Sequence, residues 1–436
     1  MDTIVVGSAI FTDNTCTINV SIATNDHNLR NRQSYLKDST EAHRTKSMVN
    51  GHLGKSIMQD LVDVPLPDSI VIDYLHVTLL GHVKTISIDI YNHLIPLQKA
   101  IFNEQLRKQQ FPHFFKRKIR SFAEFSYFKA VEFRNLFFYG VLPGLQSLIP
   151  LEKLAHLALY VCSIRLLHGR SSFNDDTNTI ADELFSRFYE DHGQFYDQLQ
   201  NFVLHLHAHY SKMYVNHGAL SNIGCFGQED LIGYVSANRH GTSHFGDLIA
   251  HYYSIDFHLH NKSQTKKTFD EPKDRSNHHA DHYEELDRFH SLVCNGCDRL
   301  NDCFLIYRRF IIHDQMFHSL IYSKSKRSVS YFVQYLFEND TNDRRFGIIE
   351  LFLTYEQCGY AVIQHYPAQH LYSDCFKRSK YYDLLNAPLD SLFFILEKQY
   401  RQRDLVRTSW ILNHCIVIEM TNSLFVTPIS TYDEHD

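Results

Sequence analysis

No run of apolar residues in this 436-residue chain is long enough to cross a bilayer. The longest, at 151–167, is broken by Glu152, Lys153, His156 and Arg165. Met1-Asp-Thr-Ile-Val-Val reads as too short and too acidic for a secretory leader, so none is expected. The sequence has no excess of positive charge, since 43 Lys and Arg stand against 49 Asp and Glu, a formal net charge of −6. Strong DNA binding draws on phosphate neutralisation, so this balance argues against it for the chain as a whole. No G-x-x-x-x-G-K-[ST], G-x-G-x-x-G or G-x-S-x-G occurs, which removes the usual signatures of P-loop hydrolysis, dinucleotide binding and nucleophile-elbow chemistry. No internal repeat is present. The nine Cys are scattered, as suits a reducing compartment, cytosol or nucleus, rather than a secreted disulfide framework.

What the chain does have is 29 His, 26 Tyr and 32 Phe against a single Trp. Most of these aromatics sit in apolar periodic segments, so core packing is their first explanation and base stacking the second. Length and composition allow two or three globular domains. Residues 1–70 are polar and turn-rich, with β-like pieces such as 16–22. Helical spacing follows from Asp73, and again over roughly 123–139, 150–168 and 178–213, the last capped by Asp175, Asp176 or Thr177. The stretch 261–285 is rich in Lys, Asp, Asn, His and Ser and reads as a flexible linker. Beyond it, 331–337, 346–353, 360–364 and 415–420 read as short strands of a small barrel or sandwich.

Three constellations have chemical potential. In Asp73-Tyr74-Leu75-His76 a carboxylate and an imidazole share one helix turn, though Asp73 can equally be a helix cap. Glu229 opens a helix after Cys225-Phe226-Gly-Gln, where dipole preference alone favours an acid. Cys294-Asn-Gly-Cys297 has zinc-ligand spacing, with Cys303, His279, His282 and His290 as further donors; ordinary reduced thiols are the alternative to a structural Zn²⁺. His205 and His209 share a helical face but lack the H-E-x-x-H context and read as helix-face histidines. Between 101 and 120 the cations Arg107, Lys108, Lys116, Arg117, Lys118 and Arg120 face a single acid, Glu104. That run is either a phosphate contact or a solvated loop.

Taken in order, these pieces resemble transposases of the CACTA (En/Spm-like) group and its animal relatives. Ile72-Asp73-Tyr74-Leu75-His76-Val77-Thr-Leu-Leu80-Gly81 resembles the family's "DYMH…LLG" signature. Arg120-Ser-Phe-Ala-Glu124 and Phe128-Lys129-Ala130-Val-Glu132-Phe133-Arg134 resemble its "R.p.sl.e…wKA.EfR" segment. The stretch 220–233 resembles "G.L…saF.fEN..G", placing Glu229 on the family's Glu and Asp230 on its Asn. The likeness covers roughly 30–255.

The resemblance implies an α+β fold: a partial RNase H-like core with a large α-helical insertion, followed by a β-rich C-terminal domain. It divides the chain into 1–72, a truncated remainder of the catalytic core with short strands; 73–258, helical; 259–288, linker; and 289–436, β-rich. In such transposases three acids hold two Mg²⁺ ions ~4 Å apart for strand transfer. Here Glu229, Asp73 and His76 match catalytic positions, Glu229 being the metal ligand. The two upstream Asp have no counterpart: Asp2, Asp13 and Asp26 lack matching surroundings. The chain is therefore expected to be catalytically incomplete and not to hold Mg²⁺, since one acid cannot grip a cation pair. The alternative is a non-catalytic DNA-binding or protein-interaction module. Transposon-end DNA is the implied partner, through Lys116, Arg117, Lys118, Arg120, Lys129 and Arg134, together with further copies of the chain in a homo-oligomer. Neither a membrane nor a small-molecule substrate is implied, and the nucleus or cytosol is the implied location.

Overall fold

The structure is a computed structural model. It describes residues 31–63, 65–169, 172–197, 199–237, 245–260, 270–276, 286–288, 290, 303–322, 329–337 and 340–432, with backbone alone at 245, 256–260 and 340–342. It is α+β, with helices through the first part and an antiparallel sheet through the last. None of the described helices is long and apolar enough to cross a membrane.

The chain forms two compact units that do not follow its linear order. The first comprises Met1–His93 and Leu159–Cys225, the second Leu94–Ala158 and Phe226–Asp436. The linear division at 72, 258 and 288 gives way to this one because 94–158 packs with the C-terminal strands, as described below.

In the first unit, α1 (Arg32–Thr45) starts at a capping box in which the Asn31 side chain accepts from Ser34 N and the Ser34 hydroxyl accepts from Asn31 N. So residues 31–72 hold a helix where short strands were expected; the β-like piece at 16–22 lies outside the described residues. Next comes a nine-residue π-helix, Leu75–Val83, continuing as α2 (Lys84–His93). The second unit then takes over with α3 (Pro96–Lys108), begun by Pro at its first turn, and a two-residue strand β1 (Gln109–Gln110). Part of the basic run expected to be a loop is thus helical. After α4 (Ala130–Asn135), a π turn (Leu136–Gly140) and α5 (Val141–Leu145), α6 (Leu151–His168) brings the chain back to the first unit.

The helix expected over 178–213 is broken into α7 (Thr177–Phe195), α8 (Phe202–Leu206) and α9 (Tyr210–His217). Asn201 restarts it, its side chain accepting from Leu204 N at 3.0 Å. At the front of α7 the N-cap is Asp176, but its side chain caps nothing; Thr177 Oγ1 instead accepts from Phe173 N. Then follow α10 (Leu220–Ile223), α11 (Phe226–Ala237) and α12 (Phe245–His260), the last two in the second unit.

The rest is strand: β2 (Glu271–Arg275), β3 (Leu305–Ile312), β4 (Gln315–His318), β5 (Phe332–Phe337), β6 (Asp340–Tyr355), β7 (Cys358–Tyr366), β8 (Ala368–Leu371), β9 (Phe394–Glu397), β10 (Gln402–Arg407), β11 (Ile411–Glu419) and β12 (Ser423–Pro428). Helix α13 (Tyr382–Leu392) lies between β8 and β9. The strands expected near 331, 346, 360 and 415 are β5, β6, β7 and β11. Among the described residues the sheet runs β10-β7-β6-β5-β11-β12-β9-β8, with β1 on β11 and β2 and β4 reaching β6 through β3. β11 changes partner along its length: Ile411, Asn413 and His414 pair with β5, with a register shift between Ile411 and Asn413, and Cys415 to Glu419 pair with β12.

β2 corrects the linker expectation at 271–275, while 261–269 and 277–285 lie outside the described residues. Its Lys, Asp and Pro content looked like linker because among the described residues it pairs with β3 alone, an edge position where Pro and charge are tolerated. There Asp274 takes up Arg309 of β3.

The residues 94–158 are built onto this sheet. β1 pairs with β11, Gln109 opposite Ile418. Val329 N donates to Phe111 O, and His113 N donates to Ser330 Oγ at 2.7 Å. The Tyr139 hydroxyl meets Ser430 Oγ at 3.1 Å, and Ser379 Oγ donates to Glu152.

Candidate functional site

Asp73 and His76 are brought together at the mouth of the π-helix. Asp73 is buried, and its carboxylate accepts four bonds. Oδ1 takes Leu75 N and Cys225 N, both at 3.0 Å. Oδ2 takes His76 N at 3.2 Å and the His76 Nδ1 proton. Two of these N–H groups open the helix, so the carboxylate does a cap's work. The third holds the backbone at Cys225, immediately ahead of α11, to which Glu229 belongs. His76 is half-buried, its ring oriented by that carboxylate.

Gly81 leaves room for the His76 carbonyl five residues earlier and for Val203 of α8: a Cβ there would stand 2.9 Å from His76 O and 3.0 Å from Val203 Cγ1. Gly81→Ala is therefore expected to force a shift in a filled interior and to destabilise the first unit by about 1–3 kcal/mol. A urea midpoint unchanged from wild type would contradict this.

Four-residue spacing in the wide helix turns Tyr74, Thr78 and His82 inward, onto a buried polar layer. The Tyr74 hydroxyl meets His168 Nε2 at 3.0 Å. Thr78 Oγ1 lies 3.1 Å from His207 Nε2 and 2.9 Å from the Tyr210 hydroxyl, and the Tyr160 hydroxyl is 2.9 Å from the same His207 nitrogen. His207 Nδ1 donates to Val203 O at 2.9 Å, which leaves Nε2 as the acceptor of a hydroxyl proton. His82 and His192 face each other Nε2 to Nε2 at 3.3 Å. Such a pair shares one proton, so two cations there would repel. Burial holds the His192 and His207 pKa values down to about 4 and raises the Tyr160 and Tyr210 hydroxyls. Of these imidazoles the sequence marks His207 alone, within the alternating cluster 204–209 that reads as helix-face histidines. His207 sits between His205 and His209, and the shared-face reading of that pair assumed a continuous helix. The chain in fact tightens to a 3₁₀ turn at His207–His209, and His207 is the buried one.

Glu229 is exposed in the first turn of α11, in the second unit. The six basic candidates, all in that unit, divide into two groups. Lys116, Arg117, Lys118 and Lys129 are exposed. Arg120 is spent on buried Glu132, Nε to Oε1 at 3.0 Å, and the same carboxylate accepts from Lys129 N in a capping box. Arg134 is buried, with its guanidinium 5.8 Å from the Phe226 ring centroid. Arg120 and Arg134 thus have partners within the second unit. Cys294, Cys297, His279 and His282 lie outside the described residues; Cys303 Sγ meets His290 Nε2 at 3.5 Å.

Among the described residues no group of three or more His, Cys, Asp or Glu is placed to hold a metal ion. Asp73 does not fit a Mg²⁺ ligand in this arrangement: to bind a cation it would have to release a helix cap or its imidazole. Comparison with known proteins found no matching family model, curated protein or solved structure.

Proposed function

We propose that this chain is a transposon-derived, catalytically incomplete relative of cut-and-paste transposases, a remnant of an RNase H-like enzyme that performs no strand transfer by itself. One observation carries the reading. The carboxylate that would serve the D-x-x-H motif in catalysis is taken up by three backbone N–H groups and an imidazole, the use of a structural anchor rather than a metal ligand.

The test is a calorimetric titration of the full chain with Mg²⁺ and Mn²⁺, beside a supercoiled-plasmid nicking assay. No nicking is expected, and no cation binding that disappears in Glu229→Gln. Glu229-dependent binding accompanied by nicking would make the chain an enzyme.

A second reading, retention as a non-catalytic DNA-binding module, is favoured by the exposed Lys116-Arg117-Lys118 triplet and Lys129. Under it, replacing the triplet by alanine flattens the salt dependence of duplex binding, each lost phosphate contact removing about 0.9 from the log–log slope. Binding that is unchanged by the triple replacement excludes those lysines and arginine.

A further inference from the structure

We infer that the second unit has two complementary patches through which copies of the chain associate head to tail. The inference is independent of the transposase reading.

The first patch is the helix pair α11 and α12. α11 buries none of its twelve residues, although Leu231, Ile232 and Tyr234 all stand on it, and Ile232 is 65% exposed. On α12 Tyr252, Tyr253 and Ile255 are likewise exposed. A Cβ added at Gly227, Gly233 or Gly246 would meet nothing within 4 Å. Helices of this composition are stable when an apolar face is covered. Their described charges all have one sign, Glu229, Asp230 and Asp247, and neither helix has a Lys or Arg in its sequence.

The second patch is the outer face of α3. Leu97 (67% exposed) and Ile101 lie one turn apart, with exposed Ile95 just ahead. The same stripe continues to Glu104 and Lys108, and there Arg107 and Lys108 outnumber the one acid. Arg107 and Lys108 both lean on Glu104, but such exposed pairs are weak and leave the face net positive.

Charge decides how copies would meet. Two α11–α12 pairs placed face to face set acid against acid, and two α3 faces set cation against cation. Setting one copy's α3 against another's α11–α12 matches apolar with apolar and opposite with opposite sign. Such a contact is heterologous, so an open assembly always has one unused patch of each kind, one at either end, and it grows into a filament or closes into a ring.

The test is sedimentation velocity on the full chain over a concentration series. Wild type is expected to shift to larger species as concentration rises. Reversing the basic patch (Arg107→Glu with Lys108→Glu) or the acidic patch (Asp230→Lys with Asp247→Lys) is expected to weaken this by at least tenfold. All four side chains lie on exposed positions, and circular dichroism checks that each variant is folded. An equimolar mixture of the two reversed proteins is expected to recover a complex, because each supplies the patch the other has lost. A chain that stays monomeric throughout, an association indifferent to the α3 reversal, or a mixture that recovers nothing overturns the inference.

Discussion

Asp73→Ala is expected to cost the first unit about 3–5 kcal/mol, the size seen when one partner of a buried, hydrogen-bonded charge is removed. The loss strands three backbone donors, at Leu75, His76 and Cys225, and takes from His76 the group that orients its ring. It also releases a contact between positions 152 residues apart, so the effect is not confined to one helix end. Asp73→Asn should fall between: its carbonyl oxygen still accepts, but its amide presents a donor to donors, a cost of about 1–3 kcal/mol. Urea denaturation followed by far-ultraviolet circular dichroism measures both. A carboxylate kept for catalysis rather than for architecture could be removed with stability held or raised. An alanine variant as stable as wild type would therefore return Asp73 to the list of catalytic candidates.

The second large effect is with acid. His192 and His207 ionise at 6.5 when unperturbed and at about 4 in the folded chain, where burial disfavours the cation. Between those values the unfolded chain binds protons that the folded chain refuses. Their contribution is thus fully present above pH 6.5, declines as pH falls, and is gone below about 4, at roughly 3 kcal/mol or less for each imidazole. The Nε2 of His192 faces that of His82, so protonating one disfavours protonating the other. Guanidinium unfolding at steps from pH 7.5 to 4 is expected to show the midpoint falling steadily, with a shallower slope in His192→Phe. A midpoint flat across that range would mean that these imidazoles are hydrated and free to titrate. The second unit has a counterpart: His318, held down to about 3 by burial and then by the nearby His113 and Arg309, is stacked on His113 at 4.2 Å.

Segments whose pattern and burial agree were legible in the sequence. The apolar runs at β5, β6, β7 and β11 read as strands because both faces of a central strand are covered, and 151–168 read as a helix. Three features were hidden for separate reasons. The π winding at Leu75–Val83 is recorded by no local propensity, nor is the close approach of Val203 of α8 to Gly81 within it. β2 is written in edge-strand residues that composition files under linker. The chain's division into units depends on pairings such as Gln109 with Ile418, invisible to any window. At the candidate site the Asp73–His76 pair was visible as a three-residue spacing, and so was the possibility that Asp73 is a cap. Arg134 was not legible: beside Lys129 it looks like an exposed cation, and only the fold puts it next to Phe226.

The pairing of β1 with β11 also bears on how the second unit can form. Its two strands lie about three hundred residues apart, and the whole first-unit segment 159–225 is made between them. During synthesis, Phe111 and its neighbours must wait, uncovered, until the last strands emerge. Loop closure over such a distance is slow, and the second unit is where assistance by chaperones would matter. For the same reason, proteolysis within 261–285 would not release an autonomous C-terminal module: the liberated piece would leave behind the strand and side chains that complete its sheet.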